Sequence, residues 1–436
     1  MDIGRIGSLF VHSVETRLGG NAIRLTAEFH TPIDPARLAR AFRDLITSTA
    51  SLRQRLDPDG WTPMRADDVQ TAVNEQAELL TTVVDASDAY SEYRPTNVGL
   101  PIRLAIIAPC RLVLSLNHAV GNGKAAFAHL ETLLRAYDGV EREQESAALS
   151  LPTARSPRVV HRAAGVTAAT WYLIGFVARA GFAAARTTVD LSRGRMPAPD
   201  GGGCAVWTYH LDAEDTGRVL AGAKAAGLTV TGRLCQAMSE VLLGAQPDRS
   251  RVCISVPTDV TALAGLSAAA APGNFTGSLI LQVFRSADPA SVASQVRRAF
   301  RWTTRNVHYW VPWLVGQLTR QEARLAGRFL AQARRPIPAR APFENYSCAV
   351  SSVGVITGPM TRRYLTTVSA HTWTQTIMVC AITLDGRMTL EASMPRDLYD
   401  PAEVAAVTDM VVARLADRTL GHAAGLRRPL FDDRAG

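Results

Sequence analysis

The stretch from Arg111 to Tyr137 leaves the chain little local choice. In RLVLSLNHAVGNG, Leu112, Leu114 and Leu116 alternate with Val113 and Ser115, which is the period of a strand. Gly121 and Gly123 then interrupt the pattern. From Lys124 onward Phe127, Leu130, Leu133, Leu134 and Tyr137 recur at helical spacing. The segment is therefore a strand, a tight turn and a helix, with His118 in the turn. A histidine held there can be aimed by the strand before it and the helix after it. Its titration near neutrality suits it to move a proton. A lone histidine after a buried strand is more often a structural residue, so a catalytic role needs support from the rest of the chain.

With 436 residues the chain is long enough for two ordinary domains or one large pseudo-symmetric unit. Apolar residues make up 47 % of it, enough for a substantial core. The formal charge of +8 favours an acidic partner: a carrier protein, a phosphate-bearing co-substrate or an anionic membrane surface. Nucleic acid is not the expected partner, because the arginines are dispersed and no zinc-finger spacing, RNA-binding aromatic motif or long basic run occurs. The six cysteines, Cys110, Cys204, Cys235, Cys253, Cys348 and Cys380, form no C-x-x-C pair. Neither a metal site nor a disulfide scaffold is expected, and a reducing cytoplasm is the simple setting. MDIGRIGSLF lacks the basic start and long apolar run of a signal peptide, in keeping with that location. Val166 to Ala178, VTAATWYLIGFVA, is too short to span a bilayer and is expected to be a core helix, with an interfacial helix as the alternative.

In the first half, Asp34 is placed to cap a helix with Pro35 at its first position, and Leu38, Ala41, Phe42, Leu45 and Ile46 give it one apolar face. Strands are expected at Pro101–Ile107 and at Arg111–Leu116, joined by a turn containing Pro109. RGRMPAPDGGG, from 193 to 203, has the composition of a linker. The expected division is thus 1–192, a linker at 193–203, and 204–436.

The second half opens with a strand at Ala205–Leu211 and a helix from Asp212 that ends at Gly227, where a left-handed cap fits. A second helix starts at Thr229 or Thr231. VCISVPTDV is expected to be a buried strand stopped by Pro257. In PGNFTGSL, Asn274 sits in a turn before another strand. Trp302, Tyr309, Trp310 and Trp313 stand among arginines between 297 and 320, which fits an amphipathic helix against the core or a wall facing lipid or an acyl chain. YSCAVSSVGVITG is expected to be a strand ending at Ser351-Ser352. Asp385-Gly386 marks a two-residue hairpin, and Asp400 caps a last helix from Pro401.

Several of these phrases carry a resemblance. His118, Asn122 and Gly123 form H-x-x-x-N-G, similar to the HHxxxDG motif of the chloramphenicol-acetyltransferase-like superfamily, which includes condensation domains, polyketide-associated acyltransferases and wax ester synthases. Leu52-Arg53 after the first helix, the paired helices from Leu211 to Leu243, and VPTDV resemble phrases of the same superfamily, as do the turn around Asn274 and the Ser351–Gly354 segment. The resemblance spans residues 5 to 420 approximately. It implies an α/β fold with mixed sheets: two pseudo-symmetric halves forming a V, with a cleft and a tunnel between them.

The resemblance also implies an acyltransferase that moves an acyl group from a thioester to a hydroxyl or amine, with His118 as general base. The thioester would be carried by coenzyme A or by phosphopantetheine on an acidic carrier protein acting in trans. No bound cofactor or metal is implied, and a monomer is expected. Asn117 stands where the first histidine is usual, Asn122 where the aspartate is usual, Thr261 in place of an arginine, and Ser352 in place of an asparagine. Asn117, Asn122 and Gly123 would support the motif; Asn274, Ser351 and Ser352 are candidates to bind substrate or an oxyanion. Two other functions stay open: a degenerate or re-purposed condensation-like protein serving recruitment or cyclisation, and a lipid acyltransferase at a membrane surface.

Overall fold

The computed structural model describes residues 22–57, 60–86, 89, 99–139, 188–192, 204–259, 261, 276–286, 288–303, 346–372 and 376–429. The expected linker at 193–203, the apolar stretch at 166–178, Asn274 and most of the tryptophan-rich segment lie outside them.

Two sheets carry the fold. The first contains β1 (Ala22–Phe29), β4 (Ile102–Ala108), β5 (Arg111–Asn117) and β10 (Leu365–Thr372), in the order β10-β1-β5-β4 with all neighbours antiparallel. A separate ribbon pairs β2 (Gln54–Asp57) with β3 (Gly60–Pro63). The second sheet is mixed. It contains β6 (Cys204–Leu211), β7 (Arg251–Asp259), β8 (Thr276–Phe284), β9 (Cys348–Ile356), β11 (Met378–Leu384), β12 (Arg387–Pro395) and β13 (Arg427–Pro429). Its order is β13-β6-β12-β11-β9-β7-β8, and β9 runs parallel to both β7 and β11.

The helices follow from their caps and apolar faces. Helix α1 (Pro35–Ser48) is capped by Asp34, whose Oδ1 accepts the Arg37 N–H at 3.0 Å. A 3-10 turn at Ala50–Arg53 then holds the buried Leu52. Helix α2 (Ala66–Leu79) and helix α3 (Gly123–Asp138) complete the first half's described helices, and α1 and α3 bury Phe42, Leu45, Leu130 and Leu134 with Ile23, Leu25, Leu114 and Leu116 of the sheet. In the second half, α4 (Ala213–Ala225) ends before Gly227, whose φ of +63° supplies the expected left-handed cap. Thr229 caps α5 (Val230–Ala245), α6 spans Pro289–Thr303, and a short α7 spans Pro359–Tyr364. Asp400 caps α8 (Pro401–Ala416), and α9 (Leu420–Leu426) follows. The hairpin between β11 and β12 turns on Asp385 and Gly386, both at positive φ, as a two-residue turn of this twist requires.

Strand β11 is buried along its whole length. Val379 and Ala381 enter the core beneath α5 and α8, whereas Cys380, Ile382 and Leu384 enter the core built on the first sheet. The same strand thus serves both cores. The chain then crosses between sheets: it leaves the second sheet after β9, gives β10 to the first sheet, and returns as β11.

Two expectations fail for physical reasons. Pro257 does not stop β7, which continues to Asp259 with Pro257 opposite Ser278. Beyond Ser255 the strand pairs, among the described residues, on the β8 side only, and a residue without an N–H is tolerated there. Ser351-Ser352 do not end their strand either. Strand β9 runs on to Ile356 with a register shift at Val353, and Gly354 takes a φ of +93°. The glycine that suggested a turn instead allows a bulge inside a continuous ladder.

Candidate active site

The turn from β5 to α3 is pinned at both ends by side-chain amides. At its start Asn117 is buried and its Oδ1 accepts the Ala119 N–H at 2.8 Å, while its carbonyl accepts the Val120 N–H at 3.1 Å. At its end Asn122 caps α3, its Oδ1 accepting the Ala125 N–H at 3.1 Å. Between them Ala119, Val120 and Gly121 are buried. Gly121 has no room for a side chain: a Cβ there would lie 2.8 Å from the Ala125 Cβ and 3.1 Å from Leu116 Cδ2. A Cβ on Gly123 would meet only Val353 Cγ2, at 3.9 Å, an ordinary contact. Of the two glycines that break the strand period, Gly121 is the one that packing demands.

His118 stands on this turn, half-buried. Its Nδ1 is buried and forms no hydrogen bond among the described residues. Burial lowers the imidazole pKa from its ordinary 6.5, and the backbone groups of His118 and Gly121 offset part of that effect. Desolvation thus favours the neutral form of the ring.

Asn122 also reaches the other half of the chain. Its Nδ2 donates to Asp259 Oδ1 at 2.9 Å and to Thr261 Oγ1 at 3.2 Å. Asp259 lies at the end of β7, and its Oδ2 faces Lys124 Nζ at 3.0 Å. Burial alone would raise the Asp259 carboxyl, but hydrogen bonds from Thr261 and Lys124 outweigh it and hold the group below the usual carboxylate range. The sequence marks Thr261 by its place where an arginine is usual, but gives no comparable mark to Asp259 or Lys124. A single aspartate at a strand end and a lysine at a helix start carry no signal until the fold places them together.

The bulge of β9 approaches the same turn, with Val353 beside the start of α3 and packed on the first core. Ser351 pairs with Cys380 across the ladder and engages its thiol, while Ser352 is opposite Ala381. Adjacent strand residues face opposite sides. Cys380 belongs to the first core and Ala381 to the second, so Ser351 faces the half that carries His118 and Ser352 faces away. Among the described residues no group of three or more His, Cys, Asp or Glu side chains could hold a metal ion, and no helix is long and apolar enough to cross a membrane.

No protein-family profile matches the sequence, and no curated protein matches it. Solved structures do resemble it in shape. Trichothecene 15-O-acetyltransferase from Fusarium sporotrichioides superposes with a TM-score of 0.66 at 12% identity, over 95% of this chain and 95% of that one. The starter condensation domain of rhizomide synthetase, in a complex with C8-CoA and Leu-SNAC, gives 0.59 at 14% identity, over 95% of this chain and 94% of that one. An epimerization domain of tyrocidine synthetase B gives 0.54 at 14% identity, over 94% of each chain. The chain has the mixed α/β fold of condensation domains and chloramphenicol-acetyltransferase-like proteins along nearly its whole length.

Proposed function

We propose that this chain, on a fold that also serves condensation and epimerization domains, is an acyltransferase that moves an acyl group from a thioester to a hydroxyl or amine. The observation that carries the reading is the setting of His118: a half-buried imidazole whose neutral form is favoured by desolvation, on a turn fixed at both ends, with Nδ1 making no hydrogen bond among the described residues. With Nδ1 buried, Nε2 is the nitrogen left for a reactant. It takes the proton of the acceptor as that oxygen or nitrogen attacks the thioester carbonyl carbon. The carbon–sulfur bond then breaks, and the imidazolium returns the proton to the leaving thiolate. Binding both reactants in the cleft expected between the halves would supply proximity.

The oxyanion formed during attack needs a donor. Ser351 is favoured over Ser352 because it faces the half that carries His118, and Asn274 remains a second candidate. Asn117, Asn122 and Gly123 act on the turn, not on the reactants. The co-substrate is read as an acyl thioester on coenzyme A or on a carrier's phosphopantetheine. The basic balance of the chain suits either, and also suits an acidic carrier protein as partner. A small-molecule acceptor, a monomeric state, a cytoplasmic location and a role in secondary-metabolite or lipid synthesis complete the reading.

The test is mass spectrometry of acyl transfer from acetyl- and octanoyl-coenzyme A, and from the same acyl groups on a carrier protein, to a panel of alcohols and amines. His118→Ala should lower transfer by about 10²–10⁴-fold, the usual worth of a general base, while its unfolding midpoint stays close to that of the parent. Near-normal transfer by this variant removes His118 from the mechanism.

A further inference from the structure

The side chains behind the His118 turn form a closed set in which each donor has only one sensible place. Asn122 Oδ1 is committed to the Ala125 N–H, so its Nδ2 must face β7, where it meets Asp259 Oδ1 and Thr261 Oγ1. Asp259 Oδ1 also accepts the Thr261 N–H at 2.9 Å and the Thr261 hydroxyl at 2.5 Å, and Oδ2 is taken by Lys124. A carboxylate at position 122 would set oxygen against oxygen where a 2.9 Å hydrogen bond now stands. Two like charges at that separation cannot both stay ionised without cost. Asparagine is thus the residue that position 122 requires once Asp259 faces it. Thr261 is small enough to close the ring, and Lys124 supplies the charge that a cation from position 261 would otherwise give. The departures at 122 and 261 are complementary, and they describe a rebuilt support, not a decayed one.

We propose that Asp259 is a positioning residue: held by Thr261 and Lys124, it fixes the far end of the His118 turn through Asn122 and so ties the aim of the imidazole to strand β7 of the other sheet. The inference rests on the reading of His118 as the base and names what aims it. Asp259 acts through Asn122, and none of these side chains needs to touch a reactant.

The test compares Asn122→Asp, Asp259→Asn and the exchange that combines the two, which restores one carboxylate and one amide across the contact. The first readout needs no substrate: imidazole nitrogen resonances of His118 in the histidine-labelled full chain, followed through pH and assigned with His118→Ala. The second is kcat and KM for transfer from acetyl- and octanoyl-coenzyme A. Asn122→Asp should displace the His118 resonances and lower kcat about 100-fold with little change in KM, as expected for a misplacement near 1 Å. The exchange should bring both readouts most of the way back. Should Asn122→Asp fail to fold, Asn122→Ala, which opens the contact without adding charge, carries the same measurements. Unchanged His118 resonances in the folded single variants, or an exchange that corrects neither readout, would overturn the proposal. If His118→Ala leaves transfer intact, the acyltransferase reading falls, while the resonance pattern still decides whether Asp259 sets the turn.

Discussion

Among the described residues, two of the joints between the sheets differ in kind. At β10 the joint is a backbone ladder, running from Ile23 opposite Thr372 to Phe29 opposite Leu365. Behind it lie buried ionisable side chains: Glu391 on β12 is 1 % exposed, and its Oε1 lies 2.5 Å from Nδ1 of His371 on β10. Arg24, opposite His371 on β1, is equally buried. At the His118 turn the joint is made by side chains alone, and Lys124 within it is largely exposed. A ladder with buried ionisable side chains behind it tolerates little change. A ring of side chains near solvent fixes only a few atoms. On the proposed reading, the first joint should matter most to stability and the second to the aim of His118.

The largest effect should come from breaking the first joint. Glu391→Ala removes the buried carboxyl group that faces His371 and should cost about 3–5 kcal/mol in denaturant unfolding. A loss under about 1 kcal/mol would mean that the cluster behaves as a surface pair and the contrast between the joints is wrong. Next comes Gly121→Ala, where a methyl meets the Ala125 Cβ at 2.8 Å. Overpacking of this kind costs about 1–3 kcal/mol, and it should shift the turn and reduce transfer as well. Gly123→Ala should stay within about 0.5 kcal/mol, since its new methyl finds ordinary contact. Equal costs at the two glycines would remove the steric argument for Gly121.

Lys124→Ala, which removes a largely exposed partner of Asp259, is likewise a small change, expected at about 1 kcal/mol or less. The pH dependence should separate two groups of this site. Asp259 is held below its ordinary 3.8, so its contribution to stability is present above that pH and is lost as pH falls through the lower folded value. His118 is also lowered, from 6.5, so its neutral form is favoured by folding. That contribution is complete above pH 6.5 and declines as pH falls toward the folded pKa, and the acid limb of kcat/KM should lie below 6.5. An acid limb above 6.5 would contradict the desolvated ring.

Much of the local architecture was legible from residues alone. The caps at Asp34 and Asp400, the left-handed Gly227 and the Asp385-Gly386 hairpin fall where the residue types place them, and of Thr229 and Thr231 it is Thr229 that caps its helix. These features depend on chain neighbours, whose separation is set by covalent geometry. Pro257 and Ser351-Ser352 misled for one shared reason. Both were read as strand ends from local chemistry, but whether a proline or glycine ends a strand depends on which edges of that strand are paired. Strand β10 gave no sign of crossing between sheets, because LTTVSAHT has an ordinary strand composition and nothing in it names β1 as partner.

What the sequence determined was the strand, turn and helix that present His118, since period, glycine placement and the Asn122 cap act within a few residues of one another. What the tertiary structure decided was the meaning of Asn122. Its partner Asp259 is 137 positions away, and a hydrogen bond over that distance exists only after β7 has found its place in the other sheet.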